Sequence, residues 1–320
     1  IFAAMIHFVP VLTRSGDPPR SIDRLPHFAQ ACGLTAVFAM LGWLPFQAVF
    51  GAATVDLVLT AILLNWIAAR ARAAIGSPHP GWRWYAAALG CLMLALLAVV
   101  FQGIWPTHWR ALKLFHLHLN TIGLVGLAAF GTLPVLLPTA LGQGDPEAAG
   151  WLRRRLWLMT GGAMVIAIGT SLSWPMAAPG ATLVLVAALS LLGQWVRRYG
   201  MALMLADGVA ASLLAAIFGL LISLAAGLAH AAKLVASQTT LYAWAIGFLA
   251  PLITGAISQL LPVWRLPGPQ TPQRLAMRQR LAAGGGWRAW LFIAAQLCLL
   301  GGELHLALPL LGLAILRFAF

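Results

Sequence analysis

The feature that most constrains this chain is a near-continuous series of apolar runs, many of them about as long as a bilayer is thick, with charge confined to the joints between them. A helix rises about 1.5 Å per residue, so roughly 20 apolar residues cross a hydrocarbon layer about 30 Å thick. Inside that layer every backbone amide must find its partner within its own segment, which makes each run a helix rather than a lone strand. Runs bounded by Pro, Gly and Arg clusters place helices at 1–12 (partial), 29–49, 53–70, 84–104, 115–138, 154–172, 180–196, 208–230, 240–262, 287–301 and 303–319. The expected fold class is all-α: a polytopic membrane helix bundle of about 10–11 transmembrane helices with almost no soluble mass.

Charged residues make up 8% of the chain, against roughly 25% in a soluble domain whose surface must face water. A net charge of +13 would point to nucleic acid in a soluble protein. Here it is sorted by side instead. Arg110, Lys113 and Lys233 fall in loops on one side, and the other basic residues, from Arg14 to Arg317, fall on the opposite side. Positive-inside makes the basic side cytoplasmic, as in a multi-pass protein of a bacterial-type inner membrane. The loops 13–28, 139–153 and 263–286 are then cytoplasmic, and 105–114 and 231–239 external. The expected partner is the lipid bilayer, with a redox partner or other membrane subunits, and no nucleic acid. Cys32, Cys91 and Cys298 are widely spaced within apolar stretches and read as small buried hydrophobes. The segment Ile1–Leu12 lacks a charged leader region and is too short to span, so further sequence is expected upstream.

Three segments end alike: FAAMIHFVPVLTRSGDPP (2–19), FGTLPVLLPTALGQGDPE (130–147) and TGAISQLLPVWRLPGPQTPQ (254–273). Aligning Pro10, Pro138 and Pro262 gives spacings of 128 and 124 residues, each enclosing four helices. The expectation is a single transmembrane domain over 1–320, with repeat segments 1–12 (partial), 29–138, 154–262 and 287–320 (partial). Three such repeats imply twelve helices in all.

Ionisable groups inside a membrane are costly, which marks them as functional candidates. His116, His118, His230 and His305 lie near the outer helix ends, and the carboxylates Asp56 and Glu303 fall on the same side; His7, His27 and His79 lie at the basic side. The sharpest motif is Phe115-His116-Leu117-His118-Leu119-Asn120. Residues i and i+2 of a helix point roughly 200° apart, so this pair suits two different centres, or one ligand and one structural hydrogen bond. It does not suit joint chelation of one ion.

From His116 the chain runs H-x-H-x4-G-x7-G-x6-P through His118, Gly123, Gly131 and Pro138. This resembles the histidine-bearing inner helix of haem–copper oxidase subunit I, in which such a pair ligates two haems. That family has twelve helices in three pseudo-repeats of four. The stretch Val9–Pro19, followed by Val55-Asp56-Leu57, resembles the divergent NnrS-type membrane proteins of the same superfamily, which bind haem and copper and are linked to nitric oxide stress. The resemblance implies a b-type haem protein in electron transfer or in nitric oxide or respiratory handling. His118 would be the first axial ligand and His116 the second, with His230 and His305 as partners and Glu303, Asp56 and Asn120 in support; His118 and His116 would be the metal-bound residues, and copper is a further possible cofactor. It also places a ligand histidine about ten residues before Ile1. The chain departs from the family in having no His-His dipeptide and no His–Tyr motif, and Thr240 and Tyr242 stand where the third repeat would carry His116 and His118. Proton-pumping oxygen reduction is therefore not expected. Two other classes fit the same pattern: a copper or small-solute transporter, and a non-catalytic membrane subunit of a respiratory complex.

Overall fold

The computed structural model describes residues 1–319 and is helical, with no strand among them. Its apolar helices are α1 (Phe2–Thr13), α2 (Leu25–Met40), α3 (Ala48–Arg72), α4 (Gly81–Ile104), α5 (Pro106–Ala140), α6 (Ala148–Leu172), α7 (Ala178–Tyr199), α8 (Gly208–Ala231), α9 (Ser237–Arg265), α10 (Gly285–Leu300) and α11 (Leu304–Ala319). Among the described residues seven helices, α3 to α9, are long and apolar enough to cross a bilayer, α7 counted with the short turn Trp174–Ala177 before it. The fold is a polytopic membrane helix bundle. The remaining four helices hold 12 to 16 residues, and 16 residues reach only about 24 Å.

Two boundaries differ from the sequence reading, each for a local reason. The helix expected at 29–49 stops at Met40, because Gly42 adopts a left-handed φ of 78° and Pro45 follows. The helix expected from 115 starts at Pro106, since proline is tolerated in a first turn. His108, Arg110 and Lys113 are therefore helical rather than loop residues.

Outward-facing apolar surface is the mark of the class. Only 17% of the most apolar window of α3 is buried within the protein, against 72% for α8. Without a hydrophobic force between helices in lipid, small residues allow the close approaches. The chain forms two compact units: Ile1–Thr132 with Glu147–Val184, and Leu133–Pro146 with Leu185–Phe320.

In the first unit α4 is the central helix. A Cβ on Gly131 of α5 would lie 2.6 Å from the Cβ of Trp84, and one on Gly123 would lie 2.8 Å from the Cβ of Cys91. Trp84 is fully buried, donates Nε1–H to Leu152 O of α6 at 3.0 Å, and stacks on Trp151 at 5.6 Å. In the second unit α8 takes that place. Gly255 of α9 packs on Ser212 and Leu213, and Gly219 meets the backbone of Gly247 so closely that neither could carry a side chain unchanged.

The two longest helices, α5 and α9, share a further feature. Each holds a π-helical segment, Leu119–Gly126 in α5 and Ala245–Leu249 in α9, ahead of Pro138 and Pro262 respectively. The 124-residue step that relates the prolines also relates Gly123 to Gly247 and Gly131 to Gly255. π-helical turns are rare and gather at functional sites.

Candidate functional site

His116 and His118 lie on the α-helical part of α5 directly before its π segment, both half-buried in the first unit. Their surroundings differ. His116 Nδ1 is 3.0 Å from Ala95 O on α4, and Asn120 Nδ2, one turn on, is 3.1 Å from His116 Nε2. The arrangement that satisfies every atom puts the proton on Nδ1, donating to Ala95 O, while Nε2 accepts from Asn120. Both imidazole nitrogens are thus engaged within the protein.

His118 lies against α6. Its Nδ1 is 2.8 Å from Leu114 O and 3.1 Å from Thr170 Oγ1, and the Thr170 hydroxyl itself donates to Ile166 O at 2.9 Å. Nδ1 therefore carries the proton, and the tautomer is the one with its lone pair on Nε2. A carbonyl held on one ring nitrogen in this way fixes imidazole orientation for ligation through the other.

An apolar groove of about 610 Å³ lies along the same helices. On α5 it is lined by His108, Ala111, Leu112 and Phe115, on α4 by Leu94, Leu97, Ala98 and Phe101, with Trp105 and Ser171 completing the lining. The α5 residues recur at helical spacing, and His118 follows Phe115 by three residues on that face. On α6 the groove is lined by Ser171, the residue after Thr170.

The other sequence candidates are placed elsewhere. His230 is exposed and bonds Val235 O at 2.9 Å, closing the turn after α8. Glu303 falls in the turn between α10 and α11 rather than inside a helix, and His305 Nδ1 lies 3.4 Å from its Oε2, with both side chains more than half exposed. Asp56 sits on α3 with Oδ1 buried and unbonded. Among the described residues no group of three or more His, Cys, Asp or Glu side chains could hold a metal ion. The three cysteines are free; Cys91 is buried, while Cys32 and Cys298 are half-buried.

Sequence reasoning missed Thr170 and Gln296. Thr170 offered no pattern, since its role depends on α6 meeting α5. Gln296 was legible as a lone amide in the run Ala294-Ala295-Gln296-Leu297. It is fully buried in the second unit and donates Nε2–H to Gly219 O at 2.9 Å and to Ser223 Oγ at 3.0 Å, with Oε1 left without a partner.

No family model, no curated protein and no solved structure matches the chain. The class is defined by the fold alone, a multi-pass membrane protein.

Proposed function

We propose that this is a haem b-binding integral membrane protein of the oxidase-like kind, working in electron transfer or in nitric oxide or respiratory handling, with His118 as axial ligand. The observation that supports it is His118 itself: a half-buried imidazole pinned through Nδ1 by Leu114 O and Thr170, three residues beyond the last α5 residue that lines an apolar groove of about 610 Å³. Small-molecule and cofactor sites run to roughly 300–1,000 Å³ with mostly apolar walls. An imidazole held in this tautomer is a suitable axial ligand, and the groove's apolar walls would suit a flat, largely apolar macrocycle. Bound haem would supply a one-electron iron couple and a gas-binding position, tuned by the dry surroundings.

The protein's own residues have separate tasks in this reading. Thr170 and Leu114 O hold the His118 ring and its tautomer. His116, with both nitrogens occupied, braces α5 on α4 and is a positioning residue rather than a second ligand. A copper centre of the three-histidine kind has no matching donor set among the described residues. The basic loops face the cytoplasm, the membrane being a bacterial-type inner membrane; single cysteines in 263–286 are then protected from an impermeant thiol reagent in intact cells, and labelling there would invert the orientation.

The deciding experiment is a reduced-minus-oxidised visible spectrum of the purified protein. A b-type α-band that is lost or shifted in His118→Ala, and unchanged in His27→Ala and His79→Ala, supports the assignment. A colourless protein moves the reading to a transporter or a non-catalytic subunit.

A further inference from the structure

Away from the histidines, the second unit buries a cation that has no counter-ion among the described residues. Arg288, on the first turn of α10, is fully buried. Its Nη1 donates to Leu281 O at 3.2 Å, its Nη2 to Ser212 Oγ at 3.2 Å, and Phe318 covers it with the ring centroid 4.9 Å from Cζ; Nε has no partner. All of these neighbours are neutral. A buried charge without an ionic partner is costly unless something else supplies the opposite sign.

The nearby acid is committed. Asp207, next to the Gly208 that packs on Gly285, accepts from Val209 N and Ala210 N and is paired with Arg278 at 3.0 Å. A second cation stands close to Arg288. Arg317 of α11 is exposed and lies over Gly284, where an added Cβ would be 2.6 Å from its Nε. Among the described residues neither Arg288 nor Arg317 has a carboxylate within ion-pair distance.

Between the two arginines the backbone presents donors. Gly284 caps α10 in a left-handed conformation, φ 65°, and no side chain caps the amides that follow. The Arg288 side chain runs back along this turn to Leu281, so its charge and the N-terminal amides act in the same place. Helix N-termini attract anions through their unsatisfied N–H groups and dipole. Basic pockets between transmembrane helices are suited to acidic lipid headgroups.

We propose that Arg317 and the Gly284–Trp287 turn, backed by the buried Arg288, bind a phosphate-bearing anion, either the headgroup of an anionic phospholipid or free phosphate. Arg317 and the turn amides make the contacts; Arg288 supplies charge from behind and is a positioning residue. Gly284 carries no side chain where Arg317 crosses the turn, while Gly285 packs on the backbone of Gly208.

The test uses the full chain purified in a neutral detergent, followed by thermal unfolding with added phosphatidylglycerol, phosphatidylcholine or inorganic phosphate. Phosphatidylglycerol should raise the midpoint by several degrees in the wild type and by at most a third as much in Arg317→Gln, with Arg317→Lys between them. Arg274→Gln, whose side chain bonds Gly268 O in the exposed loop, should respond like the wild type. A matching rise with inorganic phosphate would support the site and assign it to the free ion; a rise with phosphatidylglycerol alone would assign it to lipid. Equal shifts from phosphatidylglycerol and phosphatidylcholine, or an undiminished shift in Arg317→Gln, would overturn the proposal.

Discussion

The carbonyls of Ala95 and Gly219 occupy equivalent places in the two units, 124 residues apart, on helices that face a π-helical turn with a glycine at its contact. Each uses a lone pair left over from its helix to take a side-chain donor. In the first unit the donor is His116, from α5, which carries the π turn; in the second it is Gln296, from α10. The third-repeat residues in the places of His116 and His118 are Thr240, which bonds back to Ala236 O, and Tyr242, which is exposed. The packing problem is shared and the chemistry is not. An amide can brace a helix but cannot serve as an imidazole ligand, so the proposed histidine centre falls in the first unit and the second has only a structural brace.

The sharpest way to break the comparison is at the glycines. Gly247→Ala would drive a Cβ into the Gln296 amide, and Gly219→Ala one into the carbonyl of Gly247. Backbone cannot yield as a side chain can, so Gly219→Ala should cost more than the ~1–3 kcal/mol usual for overpacking and abolish monodisperse protein in detergent. Gly247→Ala should be partly rescued by Gln296→Ala. Gly123→Ala meets Cys91 at 2.8 Å and should lower the unfolding midpoint by a smaller amount, restored by Cys91→Gly. Equal tolerance at all three glycines would end the claim that the π turns are close-packed contacts.

Removing the braces comes next in size. Gln296→Leu takes a donor from Gly219 O, which keeps the Ser223 hydroxyl at 2.7 Å, so the loss should be about 1 kcal/mol, within the range for a single bond. His116→Leu also strands Asn120 and should cost somewhat more. Denaturant titration in mixed micelles measures both, and a larger loss at Gln296 would reverse their order.

The smallest effect is with pH. His79, in the joint before α4, accepts from Gly81 N at 3.3 Å through Nδ1. Burial first, then the charge of Arg153, hold its imidazole below the ordinary histidine value. Its neutral form is favoured on folding, so this stabilisation is complete above the unfolded pKa of about 6.5 and fades as pH falls toward the lower folded value. The unfolding midpoint should therefore drop on acidification below about pH 6.5, and His79→Gln should flatten that slope. An unchanged slope would remove His79 from the account.

Much of the fold was legible in the sequence, because lipid imposes one solution on every apolar run. Pro138 and Pro262 marked equivalent helices without revealing the π turns between them and the histidine positions, since a π turn depends on what packs against Gly123 and Gly247. The i, i+2 spacing allowed one structural and one ligand role for His116 and His118 but could not assign them. The proposed assignment rests on Ala95 O and Thr170, which reach the histidines from 21 and 52 residues away in sequence. Arg288 read as a loop cation on the basic side; only the fold shows it buried beneath Phe318.

The most direct test of the asymmetry is the haem-to-protein ratio of purified wild type, His118→Ala and Gln296→Leu, each confirmed monodisperse. Haem is expected in the wild type, retained in Gln296→Leu and largely lost in His118→Ala. No haem in the wild type, or the same ratio in His118→Ala, would contradict it.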